Sequence, residues 1–328
     1  YIDGACTGAG FNNATFDGGA TWIDQEVNNV PVSDTFTLNA GVFRQSSTSG
    51  DITIVGDVVL NGGTMLGGVS HSGDMSFGSL TINSGGTYSA TSGTTTITSE
   101  NPSNWAINCD GTFTANSGTV NITNPSTSNA DINCTGNVYN LEVGGNTVNW
   151  AEADTTIDND LTVTDLFRAS SDVLALTVTG DVVIDNGGTL GDGEESTLTF
   201  GSLKINSGGT YSATSGTTTI TSTNGNGWAI RNTAAGTYTH NNGLVNLTGS
   251  ISIFGSTQPF YNLVVSSANQ RYSNQNLVVE GNLTVDGGSL FNGNGEGSLI
   301  INTTGDVVIA ESGSGTLGGN GATGAHYF

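Results

Sequence analysis

Short runs of alternating apolar and polar residues occur along the whole chain. In Leu80-Thr-Ile82, Val120-Asn-Ile122 and Leu141-Glu-Val143 the apolar side chains would face one side of a strand and the polar ones the other. Such runs predict β-strands joined by tight turns, and no window has the period of an amphipathic helix. The corners predicted to need positive φ are Gly62-Gly63, Gly85-Gly86, Gly187-Gly188, Gly208-Gly209 and Gly287-Gly288.

The chain also repeats itself over a long distance. The stretch from Phe77 to Ser99 returns from Phe200 to Ser222 with one change, Thr81 to Lys204. The offset between matching segments stays between 122 and 125 residues. Further matches are Gly56-Asp-Val-Val-Leu60 with Gly180-Asp-Val-Val-Ile184 and Gly305-Asp-Val-Val-Ile309, Trp105-Ala-Ile with Trp228-Ala-Ile, Gly118 to Thr123 with Gly243 to Thr248, and Val138 to Val143 with Phe260 to Val265.

A shorter period lies inside the long one. Ile107-Asn-Cys-Asp-Gly111 and Ile132-Asn-Cys-Thr-Gly136 are 25 residues apart, which is about one coil of a β-solenoid. The predicted fold is therefore all-β, a right-handed parallel β-helix with coils of roughly 22–25 residues, since parallel crossovers are right-handed. An array of immunoglobulin-like sandwiches is the rival fold, but a recurrent seven-strand unit of about 100 residues is missing.

The predicted organisation is a cap followed by a solenoid. Residues 1–50 carry no clear copy of the repeat and are interpreted as an N-terminal cap or assembly segment. Residues 51–328 form the solenoid, with long repeats at approximately 51–173 and 174–298 and a partial repeat at 299–328. Aligned through Gly305 to Ile309, the third copy stops at Phe328, opposite Phe77 and Phe200. Either the protein continues or this end docks on a neighbouring subunit.

The charge balance excludes one class of partner. The net charge is −23, and the only basic residues are Arg44, Arg168, Lys204, Arg231 and Arg271. Nucleic acid binding needs clustered Lys and Arg, so no nucleic acid partner is expected. The acidity fits a solvated surface, or carboxylates that bind a divalent cation such as Ca²⁺. Gly191-Asp-Gly-Glu-Glu195 could hold Ca²⁺ but matches no calcium-loop motif, so an exposed turn is the preferred interpretation.

The compartment is predicted to be extracellular. No apolar run approaches the length of a membrane span, and no signal peptide is present. Because the chain starts at Tyr1 without Met, it is expected to be a mature product or a piece of something longer. Sequons fit a secreted protein, although some are chance matches in a chain rich in Asn and Thr. They begin at Asn13, Asn121, Asn133, Asn246, Asn282 and Asn302.

The cysteines suggest a covalent link between coils. Cys109 and Cys134 occupy the same place in adjacent coils, so their Cα atoms should lie about 4.8 Å apart, within reach of a disulfide. In the second long repeat Asn232 replaces Cys109 and no Cys matches Cys134. Two buried thiols are the alternative. Cys6 is left over, which makes it a candidate for an intermolecular disulfide.

Catalytic chemistry has weak support. The densest group of carboxylates is Asp154, Asp158, Asp160, Asp165 and Asp172, with Arg168 among them. A polysaccharide lyase or hydrolase would need such a cluster on one face, but a hydrophilic corner of successive coils explains it better. His71, His240 and His326 are isolated in sequence, and Thr94, Thr96, Thr98 and Thr217, Thr219, Thr221 fit the β-propensity of Thr. No catalytic or metal residue is predicted.

The repeat units resemble those of a known class of protein. Tyr-Asn-Leu-x-Val, Asn-Leu-Thr-Val at Asn282 to Val285, Gly-Asp-Val-Val-Ile, and Gly-Gly-Thr-Leu at Gly187 to Leu190 are similar to repeats of large secreted β-helical surface proteins of bacteria and archaea. That class includes adhesins, surface-layer proteins and sheath components. The resemblance covers roughly residues 51 to 328.

Three functional hypotheses follow. The first is a structural subunit of an extracellular assembly, such as a sheath, surface layer or filament, whose partner is itself. The second is an adhesin that binds cell-surface glycans through exposed aromatic residues. The third is a β-helical glycan-active enzyme. The first is preferred, and no enzymatic activity is expected.

Overall fold

The computed structural model is an all-β chain of parallel strands stacked as a β-solenoid of about ten turns, with no helix among the described residues. The predicted fold class is therefore confirmed. The residues that the structure describes are 11–25, 32–45, 49–68, 70–123, 130–134, 136–145, 148–149, 154–168, 174–191, 195–233, 235–249, 252–254, 258–266, 270–272, 276–286, 289–292, 300–309 and 316–317.

The chain divides into two compact units, called unit 1 (Tyr1–Asp158) and unit 2 (Asn159–Phe328). The strands of unit 1 are β1 Phe11–Gln25, β2 Val32–Gln45, β3 Ile52–Thr53, β4 Asp57–Leu60, β5 Thr64–Gly68, β6 Met75–Phe77, β7 Leu80–Ile82, β8 Thr87–Thr91, β9 Thr94–Ile97, β10 Trp105–Cys109, β11 Thr112–Thr114, β12 Thr119–Ile122, β13 Ala130–Cys134, β14 Asn140–Val143, β15 Val148–Asn149 and β16 Thr155–Ile157.

Unit 2 is built from the same kind of short strand. Its strands are β17 Leu161–Val163, β18 Leu166–Arg168, β19 Ala175–Ile184, β20 Thr189–Leu190, β21 Thr197–Ile205, β22 Thr210–Ser212, β23 Thr217–Ile220, β24 Ile230–Asn232, β25 Thr237–Thr239, β26 Leu244–Leu247, β27 Ser252–Phe254, β28 Asn262–Val265, β29 Gln270–Tyr272, β30 Asn276–Val279, β31 Leu283–Val285, β32 Ser289–Asn292, β33 Ile300–Thr303, β34 Val307–Ile309 and β35 Thr316–Leu317.

Alternation places the apolar residues inside each coil. In β4, Val58 and Leu60 are fully buried and pair in register with Leu80 and Ile82 of β7. Each inward side chain thus stacks on an apolar one from the next coil, and the burial of these rows supplies the hydrophobic stabilisation of the fold. In β7 the polar Thr81 lies between Leu80 and Ile82 and faces outwards.

Coil length varies more than the predicted range. Register partners lie from 18 residues apart (Ala130 with Val148) to 27 residues apart (Leu80 with Ile107). The strands stay short and the corners take up the difference. In the longest coil of unit 1 the extra residues form a turn in which the Asn101 side chain accepts hydrogen bonds from the backbone N–H groups of Ser103 and Trp105.

The parallel stack begins before residue 50. Strand β1 pairs with β2, and β2 pairs in turn with β4 and β5, all parallel. Phe36 and Phe43 of β2 are fully buried, and their rings lie 5.0 Å apart. The described part of residues 1–50 therefore consists of solenoid strands without a clear sequence copy of the repeat. Its role as a cap or assembly segment stays a prediction.

The long repeat is reproduced in the core. The buried Tyr88 hydroxyl lies 2.7 Å from Thr95 Oγ1 in unit 1, and Tyr211 lies 2.7 Å from Thr218 Oγ1 in unit 2. Phe77 and Phe200 pack edge-on against these two tyrosines. Each unit therefore contains a buried hydrogen bond between Tyr and Thr at the same place in its apolar core. A buried hydroxyl group needs such a partner.

Glycine occurs at the Gly-Gly corners for two different reasons. Gly85 and Gly208 have φ of +92° and +82°, which an L side chain rarely adopts. Gly62 and Gly63 lie outside the left-handed region, so the prediction of positive φ is wrong there. At Gly63 the cause is space, because a Cβ would lie 2.4 Å from Leu38 Cγ of the preceding coil. Gly287 and Gly288 lie outside the described residues.

Candidate functional site

Corner carboxylates and amides bind the backbone of the next coil. In unit 2, Asp160 Oδ1 accepts the N–H of Asp181 at 2.8 Å, and Asn262 Oδ1 accepts the N–H of Asn282 at 2.9 Å. Asn282 Oδ1 then accepts the N–H of Asp306 at 2.9 Å. The residues that donate these N–H groups, Asp181, Asn282 and Asp306, each follow a glycine at a recurring corner. Asp160, Asn262 and Asn282 therefore accept backbone N–H groups at strand ends that would otherwise be unpaired.

Members of the predicted acidic cluster also accept hydrogen bonds, some from the backbone and one from a side chain. Within unit 1, Asp158 accepts a hydrogen bond from Asn137 Nδ2 at 2.8 Å. Within unit 2, Asp160 accepts from Asp181, and Asp165 accepts from the N–H of Leu166 at 2.8 Å. Asp172 lies outside the described residues, as do Asp192, Gly193 and Glu194 of the candidate calcium turn. In the described ranges, no group of three or more His, Cys, Asp or Glu side chains is arranged to hold a metal ion.

A carboxylate-lined cavity opens on unit 1, and we call it the acidic cavity. Its volume is about 430 Å³, and Asp34, Asp57 and Glu100 bring three carboxylates to it from three separate stretches of chain. Val55 at its wall is 63% exposed. The lining residues are Ser33, Asp34, Val55, Gly56, Asp57, Gly78, Ser99, Glu100, Asn101, Pro102 and Asn104.

Asp57 is the most constrained acid of this cavity. Its half-buried position raises the pKa of its carboxyl above the ordinary value. The hydrogen bond that Ser79 Oγ donates to Asp57 Oδ1 at 2.8 Å lowers the pKa, as does one from the Ser79 backbone, while the negative charges of Asp34 and Glu100 raise it further. Burial is the largest of these effects, and the charges of Asp34 and Glu100 further disfavour ionisation of Asp57.

Unit 2 has basic residues where unit 1 has neutral ones. Lys204 pairs in register with Arg231, which pairs with Phe254. In unit 1 the equivalent outward positions are Thr81 and Asn108, which also pair in register. We call the Lys204–Arg231 pair the cationic ladder. The sequence shows that Lys204 replaces Thr81 and that Arg231 replaces Asn108 in the second long repeat. Only the strand register shows that the two cations are neighbours.

A disulfide joins Cys109 to Cys134, the pair that the sequence singled out. The Cα atoms are 4.6 Å apart, and both residues are nearly buried. In unit 2, Asn232 occupies the place of Cys109, and its Nδ2 donates to Gln258 Oε1 at 3.1 Å. A hydrogen bond therefore replaces the covalent link in the second copy. Cys6 lies outside the described residues, so its intermolecular disulfide remains a prediction.

The sequon asparagines differ in accessibility. Asn13, Asn282 and Asn302 are exposed, whereas Asn121, Asn133 and Asn246 are half-buried in the sheets. Asn133 Nδ2 donates a hydrogen bond to Asn108 Oδ1 at 3.0 Å. An N-glycan is attached to Nδ2, so the hydrogen bond to Asn108 occupies the atom of Asn133 that would carry a glycan.

The structure brings His240 into a group that sequence spacing concealed. His240 Nε2 lies 3.1 Å from Glu280 Oε2, and its ring stacks on Tyr261 at 5.5 Å. His240 Nδ1 accepts the N–H of Asn242 at 3.0 Å, so Nε2 carries the proton that faces Glu280. The two residues are 40 positions apart, which corresponds to two coils of this part of the solenoid. That spacing is the sequence signal from which the pair could have been predicted. His326 lies outside the described residues.

Within the described part of the chain, no helix is long and apolar enough to cross a membrane. No known protein family, curated protein or solved structure matches this chain. The resemblance to secreted surface proteins therefore extends to β-solenoid architecture and no further.

Proposed function

We propose that this chain is a structural subunit of an extracellular assembly, such as a sheath, surface layer or filament, and that its main partner is another copy of itself. The observation that carries the proposal is an apolar strand left uncovered at positions that face inwards elsewhere. Ile309 of β34 is 45% exposed, whereas its equivalents Leu60 and Ile184 are fully buried. A further parallel strand stacked on β34 would bury it; a neighbouring subunit can supply that strand, as proposed, and so can further chain after Phe328.

The hydrogen bonds of the predicted acidic cluster also support a structural role. Asp158, Asp160 and Asp165 are occupied by hydrogen bonds that hold corners together. A glycan-active enzyme needs a pair of carboxylates aimed at the scissile bond, with one of them available as an acid. Acids that accept hydrogen bonds from backbone N–H groups or from a neighbouring amide side chain suit a scaffold better than a catalyst.

A glycan-binding adhesin is the second candidate, and one observation favours it. Tyr261 and His240 form a stacked pair beside Glu280. A flat aromatic surface next to a carboxylate can stack on a sugar ring and accept hydrogen bonds from its hydroxyls. An adhesin of this kind would remain monomeric and bind in a glycan array, and Tyr261→Ala would abolish the binding.

Electron microscopy of the purified chain tests the main proposal. The wild type should form ordered polymer without any ligand, and Ile309→Asn should prevent it by placing a polar group in the contact. The matched control is Val59→Asn, which makes the same kind of change at an outward position of the first copy of this motif. Monomeric wild type, or polymer that forms normally in the Ile309→Asn variant, would contradict assembly through this strand.

A further inference from the structure

A tyrosine occupies the same corner of the coil in both long repeats. Tyr139 of unit 1 and Tyr261 of unit 2 are half-buried, and each directly follows a buried core residue, Val138 or Phe260. Because that neighbour fills the core position, the tyrosine lies at the surface with part of its area exposed. Tyrosine combines an apolar ring with a polar hydroxyl, which suits it to binding surfaces.

An exposed carboxylate follows each tyrosine on the next coil. The backbone N–H of Asp158 bonds to the carbonyl oxygen of Val138 at 2.8 Å, and the N–H of Glu280 bonds to that of Phe260 at 2.8 Å. The parallel bridges at these places set each acid opposite the tyrosine of its unit. Neighbours in register project their side chains to the same side. An aromatic ring and a carboxylate are therefore presented together at both corners.

A nitrogen donor completes each group. In unit 1, Asn137 Nδ2 donates to Asp158 Oδ1 at 2.8 Å, and in unit 2, His240 Nε2 donates to Glu280 Oε2 at 3.1 Å. The His240 ring also stacks on Tyr261. One donor uses one of about four lone-pair positions of a carboxylate, so hydroxyl groups of a ligand can bind at the others.

The two repeats supply this donor by different routes. Pro259 stands at the place of Asn137 in unit 2 and has no side-chain donor. His240, which stands at the place of Ala115 one coil earlier, supplies the donor instead. Backbone hydrogen bonds hold these coils together without either pair. A combination of ring, carboxylate and donor that both repeats keep through different residues therefore points to binding of a ligand.

The corner of the preceding coil is braced at both places. Asn116 Nδ2 donates to the carbonyl oxygen of Ala90 at 2.8 Å, and Asn241 Nδ2 donates to that of Ala213 at 2.8 Å. Each tyrosine is thus flanked by a corner whose backbone is tied to an earlier coil. A surface built in this way is preorganised, which lowers the entropic cost of binding.

We propose that each unit binds a neutral glycan at this corner. A pyranose ring stacks on the tyrosine, the carboxylate accepts hydrogen bonds from sugar hydroxyls, and the nitrogen donates to a sugar oxygen. The net charge of −23 and the carboxylate at each corner disfavour an acidic glycan. This inference rests on the glycan-binding candidate, to which it adds a site in unit 1 and a ligand class, and it is independent of self-assembly. The unit 1 corner site is Asn137, Tyr139 and Asp158, and the unit 2 corner site is His240, Tyr261 and Glu280.

An array of neutral and acidic oligosaccharides, probed with the purified chain, tests the ligand class. Uncharged hexose oligosaccharides should bind, and those that contain sialic or uronic acid should not. Isothermal titration with the best neutral oligosaccharide should then show one molecule bound at each corner site. Binding to acidic oligosaccharides alone, or to none on the array, would overturn the proposal.

Variants separate the two sites. Tyr139→Ala should leave only the unit 2 stoichiometry, Tyr261→Ala only that of unit 1, and the double variant should not bind. Tyr139→Phe keeps the ring and should bind within about threefold of the wild type. Asp158→Asn should weaken binding in unit 1 about tenfold. The matched control is Glu142→Val, which removes an exposed carboxylate where unit 2 carries Val264 and should leave both sites unchanged.

The results distinguish this inference from the proposals before it. A glycan site in unit 2 alone predicts that Tyr261→Ala abolishes binding, and that result would overturn the unit 1 corner site while the glycan-binding candidate stands. Binding that persists in the double variant, with urea unfolding showing a folded chain, would overturn both corner sites. Polymer of the wild type in electron microscopy supports self-assembly whichever result is obtained.

Discussion

At the scale of single residues, the acidic character of the chain has a local purpose. Carboxylates such as Asp160 accept backbone N–H groups from the next coil at corners, where the strands cannot satisfy every donor. Asn side chains form similar ladders: Asn61 donates to Asn39 at 2.7 Å and Asn83 donates to Asn61 at 2.6 Å. The acidic composition alone suggested either a solvated surface of mutually repelling charges or carboxylates that bind a divalent cation. The described residues show side chains that bind the protein's own backbone and each other.

Asp57 leads to a prediction about pH. Because its folded pKa is raised, the folded state holds this proton more tightly than the unfolded chain. The stability of unit 1 should therefore fall as the pH rises from the ordinary aspartate value of 3.8 through the raised pKa. Asp57→Asn keeps an acceptor for Ser79 but cannot ionise, so it should be more stable than the wild type at neutral pH and equal to it in acid.

Urea unfolding across pH measures this effect. Glu100→Thr is the matched variant, because Thr223 stands at the equivalent place in unit 2. Removing the Glu100 charge should reduce the loss of stability with pH without abolishing it, since burial is the larger cause. The argument is wrong if the wild type and Asp57→Asn show the same dependence on pH.

At the scale of elements, the coil is the unit that the sequence repeats and that the structure stacks. Cys109 and Cys134 became neighbours because β10 and β13 pair in register. Asn116 and Asn241 both adopt positive φ and donate to Ser89 Oγ at 2.7 Å and Ser212 Oγ at 2.9 Å. The long repeat therefore preserves corner geometry as well as apolar positions.

The disulfide should stabilise unit 1 selectively. Replacing Cys109 and Cys134 by Ser opens a loop of 25 residues and should cost about 2–4 kcal/mol of unfolding free energy. Hydrogen exchange should speed up in peptides around β10 and β13, while the equivalent peptide around β24 in unit 2 keeps its protection. That peptide is the internal control, because Asn232 and Gln258 are hydrogen-bonded there instead. Equal loss of protection at both places would contradict a local role for the bond.

At the scale of the whole molecule, the proposed extracellular location predicts a pattern of glycosylation. In native material, glycans should occur at exposed sequons such as Asn282 and Asn302 and be absent from Asn133, whose Nδ2 is hydrogen-bonded to Asn108. Mass spectrometry of glycopeptides, with and without enzymatic removal of N-glycans, makes the measurement. Native protein without a glycan at any sequon would remove this support for secretion, and a glycan at Asn133 would contradict the argument from its ladder.

The sequence by itself determined the class of fold and the pairing of the repeat. Alternation with period two, short runs such as Leu80 to Ile82 and the 25-residue spacing of the two Cys motifs are local properties that any parallel stack must satisfy. Core positions and the disulfide partners follow from them directly. The solenoid strands before residue 50 escaped detection because they pair in register without repeating the later motif.

Only the tertiary structure decided which surface residues meet. Corner length varies from coil to coil, so the sequence spacing between neighbours ranges from 18 to 27 residues and cannot be read in advance. That variation determines that Lys204 faces Arg231, that His240 reaches Glu280, and that Asp34, Asp57 and Glu100 share one cavity. Burial follows the two-residue alternation of apolar and polar residues in the sequence. Contacts between surface residues depend instead on the lengths of the corners between their strands, which set the register of each coil on the next.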